Sequence, residues 1–279
     1  LRNPNYNNSD KSIFTNIQSS ETDRLTDFGY KTNKTGFTFG TDFEYYDDLF
    51  LGLGFNSYYE SIETDSSASA QQKKLKGNYF DNFLSLSLDL DKRNQKYQTT
   101  QGYRNYFSTD IPVLSETNTF SNTLITSAFF EYLDQSVLKS SFYFKNSNSI
   151  TGKNIKLSER LYLPSNRLRG FQSGKVGPKD GNDFIGGNYI ASINFSSDIP
   201  KLFENSQNTD IKIFLDVANV WGVDYDSSLE LSDDIKSAIG VGLDWYSPIG
   251  PMNFSLSQHL SKGSNDITES FRFNLGTTF

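Results

Sequence analysis

The stretch Phe37-Thr38-Phe39-Gly40-Thr41-Asp42-Phe43-Glu44-Tyr45 decides the fold class. Phe37, Phe39, Phe43 and Tyr45 fall on one face of an extended chain; Lys34, Gly36, Thr38, Gly40, Asp42 and Glu44 fall on the other. Successive side chains of a strand point to opposite sides, so a period of two with one apolar face is a strand. Asp47-Asp48 turns the chain. Leu49, Leu51, Leu53 and Phe55 then repeat the pattern, with Gly52 and Gly54 opposite. Large apolar residues backed by small or polar ones suit a barrel wall with lipid outside and a polar lumen inside.

The alternation extends in both directions. Towards the N-terminus, Asn3-Pro4-Asn5 and Asn7-Asn8-Ser9-Asp10 are turn-like, and Lys11 to Ser19 reads as a strand. Towards the C-terminus, Ser61 to Lys76 lacks a period and reads as an exposed loop. Leu84, Leu86, Leu88 and Leu90 alternate with Ser85, Ser87 and Asp89, and Asp91-Lys92-Arg93-Asn94 ends that strand. Gly102 to Val113, Asn122 to Leu133 and Val137 to Asn148 follow, with Pro112 tolerable at a strand end. Strand signals resume at Gly187 with Tyr189, Ala191, Ile193 and Phe195. Ile211, Ile213, Leu215 and Val217 then point outward, which places Lys212, Phe214, Asp216 and Ala218 inward. Ile239, Val241, Leu243 and Trp245 repeat this, with Gly240, Gly242 and Asp244 inward. Met252, Phe254 and Leu256 follow a tight turn. The last strand, Ser270 to Phe279, sets Phe271, Phe273, Leu275, Thr277 and Phe279 on one face and Arg272, Asn274 and Gly276 on the other.

Short gaps (Tyr45–Leu49, Leu133–Val137) alternate with long ones (Tyr59–Asn78, Asn148–Gly187). Short turns at one end and long loops at the other are the transmembrane-barrel pattern. The reading is an all-β, antiparallel transmembrane barrel of about twelve strands, forming one domain over residues 1–279.

Composition bounds the function. With no cysteine, disulfides and thiolate metal sites are excluded, and the lone His259 reads as a rim or lumen polar residue rather than a ligand. A net charge of −7 makes nucleic acid an unfavourable partner. No apolar run reaches the ~18 residues of a spanning helix. Hydrophobic content of 35% with 15% aromatics fits both a soluble all-β protein and a barrel with aromatic girdles; the loop spacing favours the barrel. Asp47-Asp48 and Asp233-Asp234 read as solvated turn charges. No Ser/His/Asp set, phosphate loop or metal cluster is present, so neither catalysis nor a cofactor is expected.

From Pro164 to Gly186 the chain is dense in turn-forming residues, a length usually functional or disordered. It carries Arg167-Leu168-Arg169-Gly170-Phe171. A guanidinium fork fits a carboxylate bidentately. Asp216 is the expected partner of Arg169, with Asp244 on the neighbouring strand as a second acid. Gly170 permits a tight turn, and Phe171 packs beside it.

These residues resemble the BamA family of the bacterial surface antigen superfamily, outer-membrane proteins that fold and insert other β-barrels. Leu168-Arg169-Gly170-Phe171 looks like the family's sixth-loop RGF motif, and Gly186-Gly187-Asn188-Tyr189 like the start of the strand after it. Phe214-Leu215-Asp216-Val217-Ala218-Asn219-Val220-Trp221 is similar to its FxDxGxVW segment, with Ala218 replacing the motif glycine. Ser247-Pro248-Ile249-Gly250-Pro251 looks like its SPLGP turn, and Asn3-Pro4-Asn5-Tyr6 like a segment ending the fourth strand. The ending on Phe279 is similar to the family's C-terminal signal. The resemblance implies a sixteen-stranded barrel behind periplasmic POTRA domains. Because the chain opens without Met or a signal peptide, it is expected to be a piece holding the last twelve strands.

An isolated arginine is most often a solvated loop charge; the inward acid and the motif match together favour a structural loop-to-wall contact. The resemblance further implies a lateral gate at the last strand, where a client strand adds by main-chain hydrogen bonds. Gly276 weakens packing there, although the residues alone read equally as an ordinary closing strand. The implied partners are nascent barrel proteins, the bilayer and periplasmic assembly lipoproteins docking on the POTRA domains. Two alternatives stand: a two-partner secretion translocator of the same superfamily, and a passive porin.

Overall fold

A computed structural model describes residues 1–133, 136–199, 208–224, 229, 234–247 and 250–275. A thirteen-stranded antiparallel sheet runs through it in chain order. Its strands are β1 (Arg2–Asn3), β2 (Ser12–Arg24), β3 (Tyr30–Tyr46), β4 (Leu49–Thr64), β5 (Gly77–Asp91), β6 (Gly102–Pro112), β7 (Thr119–Leu133) and β8 (Ser136–Ser149). After a long loop holding the small hairpin β9 (Lys179–Asp180) and β10 (Asp183–Phe184), they continue as β11 (Tyr189–Asp198), β12 (Thr209–Trp221), β13 (Lys236–Ser247), β14 (Gly250–Ser261) and β15 (Phe271–Leu275). Setting aside the two-residue β1, twelve strands remain, as the alternation predicts. From β2 to β14 they are 10 to 17 residues long, enough to cross a bilayer at the usual tilt. Among the described residues, β1 and β15 are the two edges of the sheet.

Cross-strand register sorts the two faces. Ile213, Val241 and Leu256 pair in line and all point away from the lumen, 47–63% exposed. On the same strands Phe214, Asp216, Ala218 and Ala238 are buried on the other side. An apolar outer face with a buried polar interior is the inverse of a soluble protein and matches a wall in lipid. Exposed Tyr45, Tyr46, Phe50, Tyr103, Phe130, Tyr132 and Trp245 cluster at the short-turn end. Tyr59, Phe80 and Phe271 sit at the long-loop end, giving an aromatic girdle at each rim.

The apolar core lies inside the curved sheet, where the loop between β8 and β11 meets the wall. One cluster joins Leu161, Leu163, Leu168, Phe171 and Val176 of the loop to Ile190, Ala218, Val220 and Ala238. A second joins Leu157 and Phe184 to Phe28, Tyr30 and Ile62. Ala218, where the motif has glycine, is buried in the first cluster, and β12 keeps regular pairing with β11 and β13 through it.

The stretch Ser61 to Lys76 differs from its reading as an exposed loop. β4 continues to Thr64, and Ile62 is buried against the loop. Ala70–Lys74 is a helical turn closed by a capping box between Ser69 and Gln72. Gln72 is buried and donates through Nε2 to the carbonyl of Phe28 at 3.0 Å. A polar, aperiodic composition hid a segment ordered by contacts remote in sequence. Asp48 is an exposed turn charge as read, with Lys92 Nζ 2.7 Å from its carboxylate, while Asp233 lies outside the described residues.

Candidate functional site in the barrel lumen

The loop runs from Ile150 to Asn188, matching the long gap in the alternation, and touches strands from β3 to β15. Its Tyr162 ring lies 4.8 Å from Phe28, between β2 and β3. Leu161 and Gly187 exchange backbone hydrogen bonds at 2.8 and 2.9 Å, closing its base. One loop reaches so many strands only because the sheet curves around it.

Arg169 meets Asp216. Nε and Nη2 donate to the two carboxylate oxygens, each at 2.8 Å. The backbone N–H of Arg169 adds a bond to Asp216 at 2.9 Å, and Asn194 Nδ2 another at 2.8 Å. Asp216 is fully buried, and every donor it needs comes from the loop or the neighbouring strand. The guanidinium also stacks over Phe214, 3.4 Å from the ring centroid. Gly170 adopts φ +89, and a Cβ there would lie 3.0 Å from Ala238 Cβ. Phe171 is 1% exposed and forms an isolated bridge to Thr268. Arg167 packs over Tyr143 and donates to Ser141 Oγ at 2.6 Å.

Asp244 does not join this pair. Its carboxylate is held by Lys212, by a short contact, and by Asn253 Nδ2 at 2.6 Å. Asp216 faces Ala238 and Asp244 faces Asp210, so the acids sit in different layers, ~20 Å apart along the strand. Facing inward on adjacent strands does not place two residues at one height.

A second contact anchors the loop to the far wall. Lys156 is buried, with Nζ 2.9 Å from Glu60 on β4, 2.5 Å from Asp81 on β5 and 3.3 Å from Glu159. Burial by itself would lower the lysine pKa, but Glu159, Glu60 and Asp81 outweigh it and hold the ammonium above its ordinary value. Glu159 is pushed up by burial, offset in part by Lys156 and by Thr119, whose hydroxyl donates at 2.5 Å. Arg160 donates to Asn188 Oδ1 at 2.6 Å and pairs with Asp224. Glu60 and Asp81 sit at inward positions of their strands, so parity was the available signal for this cluster; nothing in the sequence joined them to Lys156.

At the last strand, Phe271, Phe273 and Leu275 point outward, 48–63% exposed. Gly276 and Phe279 lie outside the described residues. Arg272, inward between two phenylalanines, donates to the carbonyls of Ser165 and Phe171 and pairs with Glu269 at 2.5 Å. His259 is half-buried on β14 opposite Ala238, on the inward side. Below the loop a chamber of about 1000 Å³ is lined by Arg104, Lys139, Arg167, Lys212, Asp198 and Asn274, among others. Its walls carry both signs of charge, and among the described residues no group of acids or histidine is arranged to hold a metal.

A family model described as the Omp85 superfamily domain matches residues 2–279. The chain belongs to the Omp85 superfamily. It is 24% identical over 256 residues to the outer membrane protein assembly factor BamA of Neorickettsia risticii, covering 90% of this chain and 34% of that protein. It is 27% identical over 139 residues to BamA of Neisseria meningitidis serogroup B, covering 40% and 17%. The chain thus spans about a third or less of the curated relatives it matches. Among solved structures, BamA from Haemophilus ducreyi lacking POTRA domains 1-3 superposes with a TM-score of 0.85 at 20% identity, over 98% of this chain and 60% of that one. CdiB from Acinetobacter baumannii gives 0.58 at 13% identity, over 95% and 46%. This Omp85 chain is an integral β-barrel of the bacterial outer membrane. Its short-turn end therefore faces the periplasm and its long loops the exterior.

Proposed function

We propose that the chain is the barrel part of an outer-membrane β-barrel assembly factor, which folds and inserts client barrels at a lateral gate beside β15. The likeness over 90% of the chain to a protein named as such a factor carries the reading. The lumen supports it. A loop fastened to β4, β5 and β12 obstructs the path that a passive porin leaves open. The chemistry is non-covalent and uses no nucleotide or cofactor: client folding supplies the free energy, and an edge strand offers main-chain donors and acceptors as a template. The partners are nascent barrel proteins and periplasmic lipoproteins that dock on domains outside this chain.

Depletion of the full-length protein in its own cell, with mass spectrometry of all outer-membrane barrels, tests this. A general fall across unrelated barrels is expected. Loss of one secreted protein with barrels unchanged would assign the chain to the two-partner secretion translocators instead.

A further inference from the structure

The tip of the lumenal loop is fastened more densely to the last hairpin than to the wall bearing Asp216. Gln172 N–H donates to the carbonyl of Ile267 at 2.9 Å, Ile267 N–H to Lys175 at 3.0 Å, and Glu269 N–H to Gly170 at 3.0 Å. Asp266 extends the strap: its carboxylate accepts from Gly177 N–H at 3.0 Å and from Gly263 N–H at 2.7 Å, and the residue is buried. These bonds lie on the connection between β14 and β15. Among the described residues, Arg272 carries the attachment into β15 itself. Its side chain is 9% exposed and each of its three nitrogens donates once, Nε to Glu269 and Nη1 and Nη2 to the carbonyls of Ser165 and Phe171. Those two carbonyls flank the Arg167–Gly170 turn, so one guanidinium holds both ends of the tip against the strand.

We infer that Arg272 is a positioning residue that couples β15 to the lumenal loop, so that strand and loop move as one body. Charge-assisted bonds to two carbonyls in a protein-lined lumen resist separation; on the described part of β15, Phe271, Phe273 and Leu275 face outward and Asn274 lines the chamber below the loop. The consequence for insertion rests on the proposed assembly function: the edge offered to a client would be held at a height and tilt set by the loop. The coupling itself rests on geometry alone.

The test uses the full-length protein in liposomes and has two parts. Hydrogen exchange is compared between wild type and Arg272→Gln. Exchange at the amides of 270–275 and at Gln172, Ile267 and Glu269 is expected to accelerate about tenfold or more, the scale of losing a charge-assisted bond. The Arg169 amide, bonded to Asp216, keeps its wild-type rate. Separately, Gln172→Cys/Ile267→Cys places a disulfide between opposed exposed residues in a chain with no native cysteine. With Arg272 present, this tether should leave client insertion within about twofold of wild type, because it joins parts that already move together. Added to Arg272→Gln, it should restore insertion, and reduction should abolish the rescue.

Unchanged exchange in Arg272→Gln overturns the coupling. So does a tether that blocks insertion in the wild-type background, which would mean that loop and strand must separate. Failure of the tether to rescue Arg272→Gln would assign Arg272 to some role other than coupling. If the untethered wild type inserts no client, the assembly function falls, and the exchange comparison still decides the coupling.

Discussion

The Arg169–Asp216 contact makes a quantitative prediction about loop attachment. Arg169→Ala removes two 2.8 Å bonds and the stacking on Phe214, yet leaves Asp216 with the backbone N–H of residue 169 and Asn194 Nδ2. Breaking a buried pair by deleting one partner costs about 3–5 kcal/mol. The retained donors and the 18% exposure of the Arg169 side chain place this site at the low end, ~3 kcal/mol, with the cation–π contact included. A loss of that size raises the opening constant of the loop roughly 100-fold. Hydrogen exchange over residues 164–175 of the full-length protein in bilayers reads it directly. Asp216→Asn should cost about 2 kcal/mol, since it discards the charge but keeps an acceptor. In the double variant the costs should fall short of their sum by about 2 kcal/mol, the coupling expected for residues in one network. Additivity within ~0.5 kcal/mol would refute the reasoning and return Arg169 to the class of solvated loop charges.

Three further outcomes follow from the same geometry. Gly170→Ala forces an L side chain into φ +89 against Ala238 Cβ and should cost about 1–2 kcal/mol or more, measured as a lower urea midpoint of the inserted barrel. Val241→Arg, mid-strand on the lipid face, should destabilise the inserted barrel by about 2–4 kcal/mol, whereas a change of nothing in reversible unfolding from bilayers would contradict the membrane orientation. Glu159 has its folded pKa raised chiefly by burial. Stability from such a group is fully present below its unfolded value and is lost as the pH rises through the folded one. Loop protection should therefore strengthen as the pH falls towards the ordinary carboxylate range, and Glu159→Gln should flatten that slope.

Much of this protein is legible in its alternation. Phe37, Phe39, Leu51, Leu53, Ile213 and Val241 declared an apolar face by period two, because lipid on one side and a polar lumen on the other leave a residue only two environments. The same parity turned Asp216 inward, and an inward carboxylate demanded a cationic partner. Where polar composition carries no period, sequence and structure part: Gln72 and Ile62 read as solvent loop, yet Ile62 packs against Leu157 and Phe184 of the loop after β8, and Gln72 is buried on the carbonyl of Phe28.

The sequence by itself determined the barrel wall and its strand number, since these follow from alternation; the arginine–aspartate pair was legible from an inward acid taken together with the motif match. Height within the lumen was the work of tertiary structure. Register placed Asp244 beside Lys212 instead of Arg169, brought Glu60 and Asp81 together around Lys156, and set Arg272 under the tip of the loop. A strand's parity says which side a residue faces, but its position along the barrel depends on hydrogen-bond register accumulated across every strand between, and no local pattern encodes that sum.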